Sequence, residues 1–233
     1  MAYNNYGNSI QRNTPIVTNL IIINVLVFAA QNMIKQYDIT EWGSLHYYKS
    51  SLFMPHQFLT SIFMHAGFTH ILFNMFVLWM FGTILERFWG PKKFLIFYLI
   101  CGVGAGIVQQ FLIPYDATQT AKLTQEYLAN PSLLPQIVEV FKEQYAALGA
   151  SGAIMGVMAA FAYLFPNTQL YVMFIPIPIK AKYVIPVYVL IDLFGGIYRI
   201  QGDNIGHFAH LGGALIGFLL VFIWNKTNKK TFY

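Results

Sequence analysis

The chain has 233 residues, of which 57% are apolar and only 10% charged, and its mean hydropathy is +0.53. A soluble domain carries about a quarter charged residues, so this composition excludes an ordinary water-soluble globule and points to the lipid bilayer as solvent. The formal charge of +5 is spread along the chain with no nucleic-acid motif, which excludes nucleic acid as an expected partner, and a single cysteine, Cys101, excludes an intrachain disulfide framework or a thiolate metal cluster.

A helix needs about 20 apolar residues to cross the hydrocarbon core, and six segments of that kind occur in order: 16–33, 58–85, 93–113, 147–165, 183–200 and 206–225. The expected fold is therefore all-α, a polytopic bundle of six transmembrane helices. Its domain spans 16–225, between tails at 1–15 and 226–233. The first segment follows a short polar lead carrying Arg12, and Ala29-Ala30 resemble a cleavage site. It reads as a retained span rather than a signal peptide, because apolar segments continue throughout the chain.

The second segment carries His65, His70 and Asn74, with Glu86-Arg87 at its far end, read as a local ion pair. Residues 114–146 form the one long polar interruption. Leu123, Tyr127, Leu134, Ile137, Val138 and Phe141 recur there at helical spacing, which predicts external helices lying on the bundle. Before the fifth segment, Phe174-Ile175-Pro176-Ile177-Pro178-Ile179 forbids a regular helix and predicts an extended connection.

Lys and Arg concentrate on cytoplasmic loops. With the N-terminus inside, the inner set is Arg12, Arg87, Lys92, Lys93, Lys180, Lys182, Lys226, Lys229 and Lys230, nine of the fourteen. Both termini are then cytoplasmic, and the short polar lead before the first span suggests a bacterial cytoplasmic membrane.

Polar residues inside a membrane helix cost several kcal/mol and mark functional interiors. His70 and Asn74 are four apart, about 40° on a helix, and reach one small target; His65 lies about 140° from His70 and shares that target only if the helix has not begun there. It is expected to hold the external loop. Ser151 sits in Gly149-Ala150-Ser151-Gly152 just before an apolar run, the form of a helix N-terminus. Unpaired backbone N–H groups there favour a developing oxyanion.

A serine hydroxyl needs a neighbouring base, and histidine suits the task. His210 in Ala209-His210-Leu211-Gly212-Gly213 is the first candidate and His207 the second. Gly152 and Gly156 on one helix, with Gly206, Gly212, Gly213 and Gly217 around His210, fit the close backbone approach that small residues permit. Asp192 in the fifth segment is expected to be an internal hydrogen-bonding partner. A GxSG string alone among 18 glycines would be ordinary helix packing. The combination of HxxxN, GASG and AHLGG is the specific signal.

Those three motifs closely resemble the rhomboid intramembrane serine proteases, from about the first span to the last. The resemblance implies a six-helix bundle whose serine helix starts below the membrane surface, in a water-accessible cavity opening outward. It implies a Ser-His dyad without a third acid, acting on transmembrane segments of single-pass proteins, with no metal and no cofactor. Position by position, Ser151 is the nucleophile and His210 the base; His70, Asn74 and the Ser151 amide form the oxyanion hole. Gly149, Gly152, Gly213, His65 and Met155 support them.

Two positions depart from the family pattern. Met155 stands where many members have Tyr or Phe beneath the catalytic imidazole, and Trp42 is followed by Gly43 rather than by the Arg of the usual Trp-Arg pair. The competing functions are an inactive relative that binds membrane proteins and a metal-dependent peptidase or transporter using His65, His70, His207, His210 and Asp192. Inactive relatives usually lack the serine or the histidine, and no HExxH or similar pairing supports the metal.

Overall fold

The computed structural model describes residues 14–34, 36–171, 177–203 and 205–227. Arg12, Lys35, Phe174-Ile175-Pro176, Lys229 and Lys230 lie outside the described residues. Ten α-helices follow in order among those described: α1 (Pro15–Met33), α2 (Ile39–Gly43), α3 (Gln57–Thr60), α4 (Phe68–Trp89), α5 (Pro91–Ala121), α6 (Gln125–Ala129), α7 (Leu134–Gln144), α8 (Ser151–Leu164), α9 (Ala181–Ile197) and α10 (His207–Thr227). Four of them, α1, α4, α5 and α10, are long and apolar enough to cross a membrane. Together they make this a multi-pass membrane protein.

The apolar core lies where α4, α5, α8 and α10 meet, around Phe94, Phe97, Tyr98, Val157, Ala160 and Phe161, all of them fully or almost fully buried. Much of the outer surface is also apolar, for example Leu26, Phe111, Tyr183 and Leu215. That surface matches a lipid environment, in which apolar side chains face out at little cost. Cys101 is buried in α5, where it faces Gly156 of α8, as a packing residue.

Several boundaries differ from the expected spans. Helix α4 begins only at Phe68, after a short helix (Gln57–Thr60) and a tight turn (Ser61–Phe63), so His65 lies ahead of it in a loop. A π-helical turn at Leu78–Gly82 interrupts it. Helix α5 runs on through Pro114 to Ala121, eight residues past its expected end. Proline is tolerated inside such helices where neighbours satisfy the freed backbone groups. Beyond α5 the 114–146 segment forms the helices α6 and α7 that its periodicity predicts, and α7 packs on α5. On the far side of the connection before α9, Gln169–Leu170 pairs antiparallel with Ile179–Lys180, so this part of the proline-containing segment is extended.

Glu86 corrects the expected ion pair with Arg87. It is buried, and its carboxylate accepts hydrogen bonds from the backbone N–H groups of Ile16 (2.9 Å) and Val17 (2.8 Å). A carboxylate at a helix N-terminus satisfies orphan donors and meets the positive end of the dipole. Glu86 thus joins the start of α1 to the end of α4.

The first loop is braced without a Trp-Arg pair. Trp42 stacks on His56 with centroids 4.3 Å apart. Gln57 is the central brace: its carbonyl accepts from the N–H groups of His46 and Met54, and its amide donates to the Leu52 carbonyl at 2.9 Å. Gln110 of α5 holds the next stretch, donating to the His46 carbonyl at 2.7 Å and accepting from the Tyr48 N–H at 2.9 Å. The loop then pairs Leu45–His46 antiparallel with Ala146–Ala147, directly ahead of Gly149.

Candidate active site

The serine sits at the first residue of α8, which is 14 residues long. At 1.5 Å per residue this helix spans about 21 Å, well short of a hydrocarbon core about 30 Å thick. The turn that starts it needs glycine: Gly149 has φ +131°, and a Cβ there would lie 2.9 Å from the His70 ring. The Gly149 N–H donates to the Ser61 carbonyl at 2.9 Å, which ties this turn to the approach to α4.

His210, in the first turn of α10, places Nε2 2.8 Å from Ser151 Oγ. The spacing is possible because α8 and α10 touch backbone to backbone. A Cβ on Gly213 would fall 1.8 Å from the Gly152 carbonyl oxygen, and one on Gly217 would fall 2.4 Å from Gly156 Cα. A Cβ on Gly152 would meet Ala105 of α5 at 2.6 Å. Of the glycines expected to bring the helices together, Gly152, Gly156, Gly213 and Gly217 lie in their interface, whereas Gly212 faces Val108 of α5 and Gly206 meets only Ala209.

His70 projects from the first turn of α4 onto Gly149. Its Nδ1 accepts from the Ala66 N–H at 3.4 Å, so the neutral ring carries its proton on Nε2, the atom turned towards Gly149. Asn74, one turn further along α4, is buried, and its amide nitrogen has no hydrogen-bond partner among the described residues. A buried donor left unpaired costs about 1 to 3 kcal/mol, which a ligand oxygen would recover. Met155 is buried in α8 one turn beyond Ser151.

His65 has no place on the same helical face. It is buried in the loop before α4, with its ring 5.1 Å from that of His70 and edge-on to it. Gln31 of α1 accepts from its N–H at 3.1 Å and also donates to its carbonyl. These contacts use its backbone, whereas its two ring nitrogens have no hydrogen-bond partner among the described residues. Burial, followed by the charge of His70, lowers its pKa to about 4.

Asp192 of α9 reaches further into the site than an internal partner. Its carboxylate lies 3.1 Å from His210 Nδ1 and 2.7 Å from His207 Nδ1. His207 Nε2 in turn lies 2.8 Å from Asp203, in the loop before α10. The second candidate base thus faces two carboxylates rather than Ser151. The only signal for this contact in the sequence was an acid inside an apolar span, which does not reveal its partner.

A cavity of about 620 Å³ is lined by His70, Gly149, Ser151 and Ala209, together with Asp116, Arg199 and Asp203. Arg199 grips Asp116 through two hydrogen bonds of 2.7 and 2.8 Å and donates to the Asp203 carbonyl. This joins the loop before α10 to the extended end of α5.

A membrane-embedded helical bundle with a serine at a helix start facing a histidine on a glycine-packed neighbour defines the class. The Rhomboid domain family model matches residues 53–227, and the chain belongs to the rhomboid family. It is similar to RHOMBOID-like protein 12, mitochondrial, of Arabidopsis thaliana, with 31% identity covering 93% of this chain and 60% of the relative. Rhomboid protein 1, mitochondrial, of Saccharomyces cerevisiae is 28% identical, covering 92% of this chain and 55% of the relative. The human presenilin-associated rhomboid-like protein, mitochondrial, is 28% identical, covering 96% of this chain and 51% of the relative. The chain therefore spans about half to three fifths of the length of these curated relatives. Their names are mitochondrial, whereas the sequence suggested a bacterial membrane.

Proposed function

We propose that this chain is an intramembrane serine endopeptidase that cleaves transmembrane segments of single-pass proteins. The observation that carries the reading is the 2.8 Å contact between Ser151 Oγ and His210 Nε2, with Ser151 lining a cavity in an apolar bundle. It lies within the 2.6 to 3.2 Å that proton transfer from a nucleophile to its base requires.

His210 Nε2 takes the Ser151 proton as Oγ attacks the substrate carbonyl carbon. The carbonyl π pair moves onto oxygen, and the resulting oxyanion faces the free amides at the start of α8, His70 Nε2–H and the unpaired Asn74 amide. His210 then gives the proton to the leaving nitrogen, the C–N bond breaks, and an acyl-serine remains. Water, deprotonated by the same nitrogen, releases the second product and restores Ser151. No cofactor is needed.

We assign the six-helix domain to residues 16–225, with α8 and α9 crossing alongside the four longer helices. Because α8 is short, Ser151 starts inside the lipid layer, and the cavity over it supplies water. The Lys/Arg distribution puts both termini on the cytoplasmic side; reporter fusions at each end of the chain, in a bacterial cytoplasmic membrane, test this. The protease reading is tested by incubating purified protein in detergent with a single-pass substrate carrying small residues near its outer membrane boundary. Cleavage by wild type and not by Ser151→Ala is expected. Equal cleavage by both, or wild-type protein that cuts no such substrate while binding it, contradicts the reading and favours a binding relative.

A further inference from the structure

We propose that Asp192 is a positioning residue for His210, so that this site works as a Ser–His–Asp array rather than as a pair; the inference rests on the protease reading above. Both oxygens of the Asp192 carboxylate lie within hydrogen-bonding reach of His210 Nδ1, at 3.1 and 3.2 Å, on the side of the ring away from Ser151. An ionised carboxylate only accepts. Nδ1 therefore keeps its proton, and the Nε2 lone pair points at Ser151 Oγ, as a base requires. When Nε2 gains the serine proton, the imidazolium faces an anion across its other nitrogen and is stabilised where it forms.

A carboxylate among apolar helices needs a reason to stay ionised, and His207 supplies it. Its two nitrogens face two carboxylates, Asp192 at 2.7 Å and Asp203 at 2.8 Å. A ring that donates from both nitrogens satisfies both carboxylates and leaves Asp192 an acceptor towards His210. Its ring also packs against Gly195 of α9, where a Cβ would come within 2.5 Å of it. That glycine lets Asp192 and His207 meet. Beyond Asp203, Arg199 donates to the Asp203 backbone carbonyl and pairs with Asp116. Asp116, Arg199, Asp203, His207 and Asp192 thus form one chain of contacts that ends on His210 Nδ1.

The groups facing His210 are Ser151 from α8, Asp192 from α9 and His207 from its own helix, with His70 of α4 within electrostatic reach. Removing the charge at Asp192 alone should alter how His210 titrates. The test measures the pH dependence of substrate cleavage by wild type, Ser151→Ala and Asp192→Asn in the same detergent. Asp192→Asn should lower kcat by about 10²- to 10⁴-fold with KM little changed, and should move the acidic limb of the kcat/KM profile to lower pH, because the imidazolium has lost its anion. An Asp192→Asn enzyme within a few-fold of wild type, with an unmoved acidic limb, overturns the proposal.

If Asp192→Asn does not fold, ¹⁵N-histidine NMR of wild type, with the His210 signals assigned by their loss in His210→Gln, decides instead. A protonated Nδ1 with a hydrogen-bonded, low-field proton is expected. A proton on Nε2 overturns the proposal. Cleavage by Ser151→Ala equal to wild type is a separate result, since it removes the protease reading itself.

Discussion

The α8–α10 pair and the first loop, residues 34–57, are both needed to shape the site, but they are held by opposite means. The two helices meet through backbone, with Gly213 against the Gly152 carbonyl and Gly217 against Gly156, and nothing there can adjust to a larger side chain. The loop is held by side chains reaching backbone: Gln57, Gln110 and, through Ser50 and Ser51, Glu143 of α7. Each of those contacts can be lost singly. Rigidity is placed where a 2.8 Å contact has to be kept, and replaceable contacts where the loop brings Leu45 to the cavity wall. Substitutions should therefore fail abruptly in the first region and gradually in the second.

The largest effect in the rigid region is expected from the chemistry itself. Ser151→Ala or His210→Ala should each lower kcat by about 10⁶-fold, and the double variant by no more than either single change, because the two act as a unit; cleavage assays on the three proteins check this. His70→Ala and Asn74→Ala should each cost about 2.7 to 4 kcal/mol of transition-state stabilisation, roughly 10²- to 10³-fold in kcat, with little change in KM. A loss in KM alone would show that they contact only the bound substrate.

Gly213→Ala sharpens the contrast directly. The added methyl has no room beside the Gly152 carbonyl, and overpacking typically costs about 1 to 3 kcal/mol. It should reduce activity more than stability, by parting Ser151 from His210. Gln57→Ala in the loop should do the reverse. Thermal melts should show about 1 to 3 kcal/mol lost for the backbone groups left without a partner, with most of the activity kept. If the two variants behave alike, the division into rigid and adjustable regions is wrong.

The smallest effect concerns pH. His65 has a folded pKa of about 4 against an ordinary value of 6.5, so the unfolded chain takes up a proton that the folded one refuses. This penalty is absent above 6.5, grows as pH falls from there, and is complete below about 4. His65→Phe should flatten the fall in melting temperature over that window.

Much of this was legible in the sequence because lipid imposes simple rules. Apolar runs located the main helices, and polar residues inside them located His70, Asn74, Ser151, His210 and Asp192. Small residues at repeated spacing marked the α8–α10 contact. What stayed hidden were partners distant in sequence. Glu86 beside Arg87 looked like a local pair, yet it caps a helix about seventy residues away. Gln57 and Gln110 carried no periodic signal at all. The third span was expected to end at 113, but its helix continues through Pro114 to Ala121. Asp192 was visible as a costly buried acid, whereas its contact with His210 depends on how α9 leans on α10.

The account's central claim is that Ser151 is a nucleophile activated by His210. The most direct measurement is covalent labelling by a fluorophosphonate probe, which needs no knowledge of the natural substrate. Wild type should label, while Ser151→Ala and His210→Ala should not. A wild-type protein that stays unlabelled while folded, or a Ser151→Ala variant that labels equally, would contradict it.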